Sequence, residues 1–268
     1  MSLTDKPGVS AFSRSTRQRQ NITLFQPRIE RKFYLSPAKV RMAYGLLRTV
    51  ALPHPVYASE QINSLYYDTA GLDLFERSIS GDYQKDKIRL RWYGDSVWPE
   101  ADCLAYLELK MRRGFEGSKK RVEAKLNTPQ PGRLPDSDGL ISRKLLYDTL
   151  GDFGWDINAP LYPVISISYW RYRFIEISSG LSLALDCHIR STVVAAGLGY
   201  KEHNLEMEGG VLEIKGRDME LPSSLNPLRI LDIDWSRFSK YAACLEAHQQ
   251  EPGSQSRLLP SGLLDQSE

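Results

Sequence analysis

Residues 87–93 read KIRLRWY, and the alternation within them decides the fold: Lys87, Arg89 and Arg91 take every second position, with Ile88, Leu90 and Trp92 between them. Successive side chains of an extended strand point to opposite faces, so this segment has one cationic and one apolar face. The same division recurs along the chain. In RIERKFYL (28–35), Arg28, Glu30 and Lys32 share a face opposite Ile29, Phe33 and Leu35, with Arg31 breaking the pattern. LAYLELK (104–110) sets Glu108 and Lys110 against Leu107 and Leu109, and KKRVEAKL (119–126) sets Lys119, Arg121, Glu123 and Lys125 against Val122, Ala124 and Leu126. Arg171 and Arg173 share a face of SISYWRYRF (166–174), as do Glu213 and Lys215 in VLEIK (211–215).

A single strand of this kind describes a half-exposed antiparallel sheet with its polar face in water. Six of them, carrying many cations and few carboxylates in a chain of formal net charge +2, point elsewhere. Like charges on neighbouring strands repel, so cations gathered on one wall are stable mainly when an anion neutralises them. The expected architecture is therefore α+β: an antiparallel β-tunnel of about eight strands with a polar, cationic interior, covered by a few helices. An outer-membrane barrel also has a polar inside, but the density of cations, the interrupting helices and the lack of an export signal argue against it.

Three helices are legible. Ser36 and Pro37 supply an N-cap and a first-turn proline ahead of Val40, Ala43, Leu47 and Val50. A second helix is expected over 141–150, and a third from near Arg237, with Phe238, Tyr241, Ala242 and Leu245 as its apolar stripe. The helices at 37–50 and near 237 are expected to cover the outer face of the sheet. Residues 1–24 and 250–268 lack periodic apolar positions and are expected to be disordered, leaving 25–249 as one domain. Arg14, Arg17 and Arg19 then belong to a solvated tail. NTPQPGRLPDSDGL (127–140) reads as a loop.

Composition narrows the function classes. With 41% hydrophobic and 25% charged residues among 268, the chain has an ordinary globular make-up, and its near-neutral balance excludes a generally basic nucleic-acid binder. Cys103, Cys187 and Cys244 are scattered, without zinc or disulfide spacing, and are expected to be buried free thiols. No run approaches the roughly 20 apolar residues of a membrane helix, so a cytoplasmic protein without its own span is expected, any membrane association needing a partner protein. Hard divalent ions such as Mg²⁺ or Mn²⁺ bridge carboxylate to phosphate, which makes Glu213 the favoured metal ligand and Glu30 and Glu108 further candidates. The alternative role for each is an ion-pair partner of the neighbouring cation.

Taken in order, these segments resemble the polyphosphate polymerase domain of the vacuolar transporter chaperone (VTC) complex, a branch of the CYTH-like triphosphate tunnel metalloenzyme superfamily. The carriers are Glu30 and Lys32 in IERKFYL, Tyr67, Asp68 and Thr69 in NSLYYDT, the cations of KIRLRWYG, Glu108 and Lys110 in LELK, and the KKR at 119–121. Tyr169 and Arg171 in YWRYRF, Asp186 in LALD, Glu213 and Lys215 in VLEIK, and Ser239, Lys240 and Tyr241 in RFSKY complete the set. The resemblance implies that Lys32, Arg89, Arg91, Lys110, Arg171, Lys215 and Lys240 grip phosphate oxygens, with Lys87, Arg121 and Arg173 in support, and that Glu213 holds Mn²⁺ or Mg²⁺. It implies transfer of the γ-phosphoryl of ATP to a polyphosphate chain. A triphosphatase of the same fold, or a non-catalytic module binding polyphosphate or inositol phosphate, stays open. Hydrolytic members carry a Glu-x-Glu-x-Lys first strand, and here Arg28 stands in place of its first glutamate. Where the family has an arginine about four residues before the Asp186 motif, this chain has Ser182. Either Arg173 or Arg190 replaces that contact, or polyphosphate is bound more weakly and turned over slowly.

Overall fold

A computed structural model describes residues 29–250 except 101–102, 115, 128–139, 157, 196–203, 218–219, 234 and 237, with Trp235 and Ser236 described in backbone only. The expected disordered segments at 1–24 and 250–268 lie outside the described residues except for Gln250, which ends a helix, and so do nearly all of the loop at 127–140 and Arg28. The elements run β1 (Ile29–Leu35), α1 (Pro37–Val50), β2 (Ala51–Pro53), β3 (Ser59–Thr69), α2 (Asp73–Ile79), β4 (Gln84–Tyr93), β5 (Ala105–Arg113), β6 (Glu116–Ala124), α3 (Arg143–Asp152), β7 (Leu161–Glu176), β8 (Ser182–Val193), β9 (Asn204–Gly216), a 3₁₀ helix (Ser223–Leu231), β10 (Trp235–Ser236) and α4 (Lys240–Gln250). Eight long strands and the short β10 form one antiparallel path in the order β10-β1-β9-β8-β7-β3-β4-β5-β6, and the short β2 adds to β7.

One contact shows that this sheet is rolled up. β1 and β5 stand six places apart in it, so a flat sheet would separate them by about 29 Å at about 4.8 Å per step. Yet Lys110 Nζ of β5 lies 2.9 Å from Glu30 Oε2 of β1. The wall therefore curls with its ionic face inward, as the alternation requires. No ladder joins its two ends, β6 and β10, among the described residues.

The apolar faces point outward and are covered in two patches. Phe33, Leu35, Phe174, Leu185, Leu212 and Ile214 pack beneath Ala43 and Leu47 of α1 and Leu225, Leu228 and Leu231 of the 3₁₀ helix. Leu65, Ile88, Leu90, Trp92, Leu107 and Leu109 pack beneath Leu146 and Leu150 of α3. Cys187 and Cys244 are buried free thiols, which burial pushes up to about 11 and about 12; Cys103 is only half-buried. No described helix is long and apolar enough to cross a membrane.

α4 departs from expectation. It covers no outer face but plugs the concave side, where Tyr241 stacks on Tyr66 with centroids 4.9 Å apart and Ala242 and Leu245 meet Ile62, Tyr169 and Val211. An apolar stripe tells which side of a helix is buried, not which side of a sheet receives it. Asp68 supplies that information. Its buried carboxylate accepts hydrogen bonds from Tyr241 Oη at 2.6 Å and from the amides of Leu74 and Phe75, both at 2.9 Å, clamping β3, α2 and α4 together. α2 is too short for its period to stand out in the sequence. Burial outweighs these bonds and holds the Asp68 carboxyl above its usual range, and it pushes the Tyr241 phenol well up. Where β8 and β9 lose register at Cys187/Ile189, Gly209 lies at φ +82°, with no room for a side chain against the Leu35 carbonyl.

Tyr241→Phe keeps the ring stack and removes one donor to a buried carboxylate. A loss of about 1–3 kcal/mol is expected, read as a lower midpoint in urea denaturation; an unchanged midpoint would show that the clamp adds no stability.

Candidate anion-binding tunnel

Three carboxylate centres organise the inner wall. On β5, Glu108 is buried and receives Arg89 twice, from Nε at 2.8 Å and Nη2 at 2.7 Å, and Lys119 Nζ at 2.7 Å. Arg91 and Arg121 approach it at 3.9 and 3.6 Å. Burial works against this charge, but Arg89, Arg91 and Lys119 outweigh it and hold the carboxyl far below its usual range. The third arm of Arg89 donates to Tyr66 Oη at 3.0 Å, and Arg91 donates to Ser64 Oγ and Tyr169 Oη, both at 3.3 Å.

The second centre joins β7, β8, β9 and α4. Arg171 donates to both oxygens of Asp186, at 2.6 and 2.8 Å, and to Glu213 Oε2 at 3.0 Å. Lys240 reaches Asp186 at 2.5 Å and Lys215 reaches Glu213 at 2.7 Å. Burial opposes the ionisation of Glu213, yet Arg171, Lys215 and the adjoining Glu30 and Lys32 hold its carboxyl well below the usual range. The third centre is Glu30, held by Lys32 at 3.3 Å and Lys110 at 2.9 Å.

Lys87 has no such partner. Its ammonium donates to Ser239 Oγ at 2.7 Å and forms no ion pair among the described residues. Burial, followed by the charges of Lys32, Lys110 and Arg89, pushes it well below the usual lysine range. Lys110 is lowered as well, chiefly by burial.

Of the residues chosen from the sequence, Lys32, Lys87, Arg89, Arg91, Lys110, Arg171, Lys215 and Lys240 gather on one concave wall with Glu30, Glu108 and Glu213. Arg121 faces the same side from the edge strand β6, 3.6 Å from Glu108, and Arg173 is engaged by Glu60 and the Tyr57 carbonyl. Ser182 faces the same way as Asp186 and stands opposite Lys215. Arg173, on the neighbouring strand, is the nearer substitute; Arg190 lies past the β8 irregularity, paired with Glu206 at 3.0 Å. The sequence reading left Lys119 and Asp186 out of the site, although both share its alternating face. It also gave no role to Tyr169, whose ring lies 4.7 Å from Lys240 Nζ and 5.4 Å from the Arg171 guanidinium. Burial raises that phenol, but Arg171, Arg91 and Lys240 prevail and leave it lowered.

Residues 20–248 match the family model of the VTC domain. The chain belongs to the VTC domain family. Among solved structures, this VTC domain is similar to a proposed adenylate cyclase of Bacillus halodurans, at 16% identity over 80% of this chain and 96% of that one, with a TM-score of 0.46. A proposed adenylate cyclase of Vibrio parahaemolyticus follows at 10% identity, covering 83% and 98%, TM-score 0.40. The Mediator head module of Schizosaccharomyces pombe gives 9% identity, 82% and 94% coverage, and a TM-score of 0.34. Likenesses this distant carry no argument about activity. No curated protein matches the chain significantly.

The wall of this VTC domain titrates in an accessible range. Burial, against the pull of Glu108, pushes Lys119 down to about 8. As pH rises through that value the ligand-free tunnel loses a positive charge, so affinity for an anion falls; a bound anion restores the proton. Affinity for long-chain polyphosphate, whose internal phosphates stay ionised, should decline by up to about tenfold per pH unit above pH 8. Lys119→Arg, permanently charged, should flatten that decline. Equal slopes in both proteins, measured by calorimetric titration from pH 7 to 9.5, would exclude Lys119 as the source.

Proposed function

We propose that this VTC domain binds a nucleoside triphosphate and a polyphosphate chain in its tunnel and transfers the γ-phosphoryl of ATP to the chain end in the presence of Mn²⁺ or Mg²⁺. The observation that carries this reading is Lys87, a half-buried cation among Lys32, Lys110 and Arg89 without a carboxylate of its own. An anion running along the wall supplies the missing countercharge, and a polyphosphate reaches all four cations at once.

The chemistry asks little of the side chains. A terminal phosphate oxygen of the chain attacks the γ-phosphorus, a new P–O–P bond forms, the bond to the β-phosphate oxygen breaks, and ADP departs with the electron pair. Arg89, Arg91, Lys32 and Arg171 align the phosphates and stabilise the charge that accumulates on their oxygens. No nucleophilic residue is needed.

The protein's donor set fits an ion completed by phosphate oxygens. Among the described residues no three His, Cys, Asp or Glu side chains form a metal cage, but Glu213 adjoins Glu30, and a hard divalent cation commonly takes one or two carboxylates plus substrate phosphates and water. Glu213 and Glu30 are its proposed ligands; Glu108 is committed to four cations. When bound, the ion neutralises phosphate charge and polarises the transferred group. A non-catalytic polyphosphate or inositol-phosphate module is the second reading, favoured by Ser182 where an arginine would complete the grip. Passage of a product chain across a membrane would fall to a span outside the described residues.

Incubation of the purified protein with ATP and Mn²⁺, followed by gel detection of polyphosphate and assay of ADP, should reveal both products. Glu213→Ala releases Lys215 and Arg171, so it should lower turnover by about 100-fold or more while polyphosphate binding holds. Arg89→Ala should weaken binding about tenfold or more as well as turnover. Tight polyphosphate binding with neither polymer nor phosphate release would leave only the binding module.

A further inference from the structure

Arg121 stands at the edge of the wall in a setting unlike that of the other tunnel cations. Its guanidinium carbon lies 3.5 Å above the centroid of the Tyr106 ring, a stacking distance. Two further groups fix its plane: Nη2 donates to Tyr93 Oη at 3.3 Å, and Nε faces Glu108 Oε1 at 3.6 Å. Tyr93 in turn braces Tyr106 nearly edge-on, at 6.4 Å and 70°. A guanidinium recognises phosphate through its in-plane N–H edges and aromatic groups through its flat face. Here two edges are engaged by the protein, one face is covered by Tyr106, and 35% of the side chain remains exposed.

Position along the wall matters equally. Arg89, Glu108 and Arg121 are consecutive partners across β4, β5 and β6. Tyr106 stands opposite Arg91 on β4, and the backbone at Arg121 stands two strand steps, about 10 Å, from that at Arg89, another arginine assigned to the triphosphate. That is the scale on which a nucleotide separates its base from its terminal phosphates.

We propose that the Tyr106–Arg121 stack, braced by Tyr93, is the platform on which the base of the nucleoside triphosphate lies, making Arg121 a base-stacking residue rather than a phosphate contact. The proposal rests on the nucleotide reading above and adds the element that distinguishes a nucleotide from a bare triphosphate. Stacking depends on ring area, so purines bind above pyrimidines, with little discrimination between adenine and guanine.

The test compares ATP with methyl triphosphate, an ester of the same charge that lacks base and ribose, by calorimetric titration at fixed Mg²⁺ and salt. The wild-type protein should bind ATP on the order of tenfold more tightly than methyl triphosphate, and UTP in between. In Tyr106→Leu that advantage should collapse towards one while methyl triphosphate affinity changes by less than about twofold. Arg121→Lys keeps the positive charge and removes the flat face, so it should also erase the advantage; a thermal melt confirms that both variants are folded. Equal affinity of the wild-type protein for ATP and methyl triphosphate overturns the platform while leaving the anion tunnel intact. A parallel loss of both ligands in Tyr106→Leu and Arg121→Lys overturns it too, returning Arg121 to the phosphate contacts. If neither ligand binds the wild-type protein, the nucleotide reading fails and the platform with it.

Discussion

Confining cations of like sign on one concave surface is the constraint on which the rest of this structure depends. Each charge loses water on entering the tunnel, and each repels its neighbours. The fold answers with Glu108, Glu30 and the Asp186–Glu213 pair, so that most of the cations sit in short, well-directed ion pairs. The compensation is incomplete, and Lys87 is where it stops. A wall fully neutralised by its own carboxylates would have little use for a polyanion; one with no carboxylates would not fold at neutral pH.

The same carboxylates tie neighbouring strands together and, across the tunnel, strands that are distant in the sheet. Arg171 of β7 joins Asp186 of β8 to Glu213 of β9, and Lys110 of β5 reaches Glu30 of β1. Electrostatics thus helps to set the curvature that apolar packing on the outside permits. α4 adds a second restraint from within: Lys240 reaches Asp186, Ser239 receives Lys87, and Tyr241 is anchored on Asp68. The plug and the anion site share residues, so packing at one end of the tunnel fixes the cations in the middle.

The legible parts of the site were those carried by period-two alternation. Lys32, Lys87, Arg89, Arg91, Lys110 and Lys215 announce their face because apolar residues flank them in the sequence. Asp186 is harder to see, since Ala184 and Ser182 share its face and give it no ionic company. Lys119 was visible on the right face, but its ion pair with Glu108, which opposes the loss of proton affinity that desolvation brings, arises only when β5 and β6 pair. Asp68 in NSLYYDT has a structural role through partners in α2 and α4 that no local pattern reveals.

The sequence by itself determined the ionic and apolar faces of the strands, the helices expected over 37–50 and 141–150, and the excess of cations calling for an anion. These are local properties, because side-chain direction in a strand repeats every two residues. Only the tertiary structure decided that α4 enters the tunnel rather than covering it, that Glu108 serves four cations at once, that Lys87 lacks a carboxylate partner among the described residues, and that Arg121 lies flat on Tyr106. Those outcomes depend on contacts between residues far apart in the chain. Their distances are set by the curl of the sheet, which no local pattern of residues encodes.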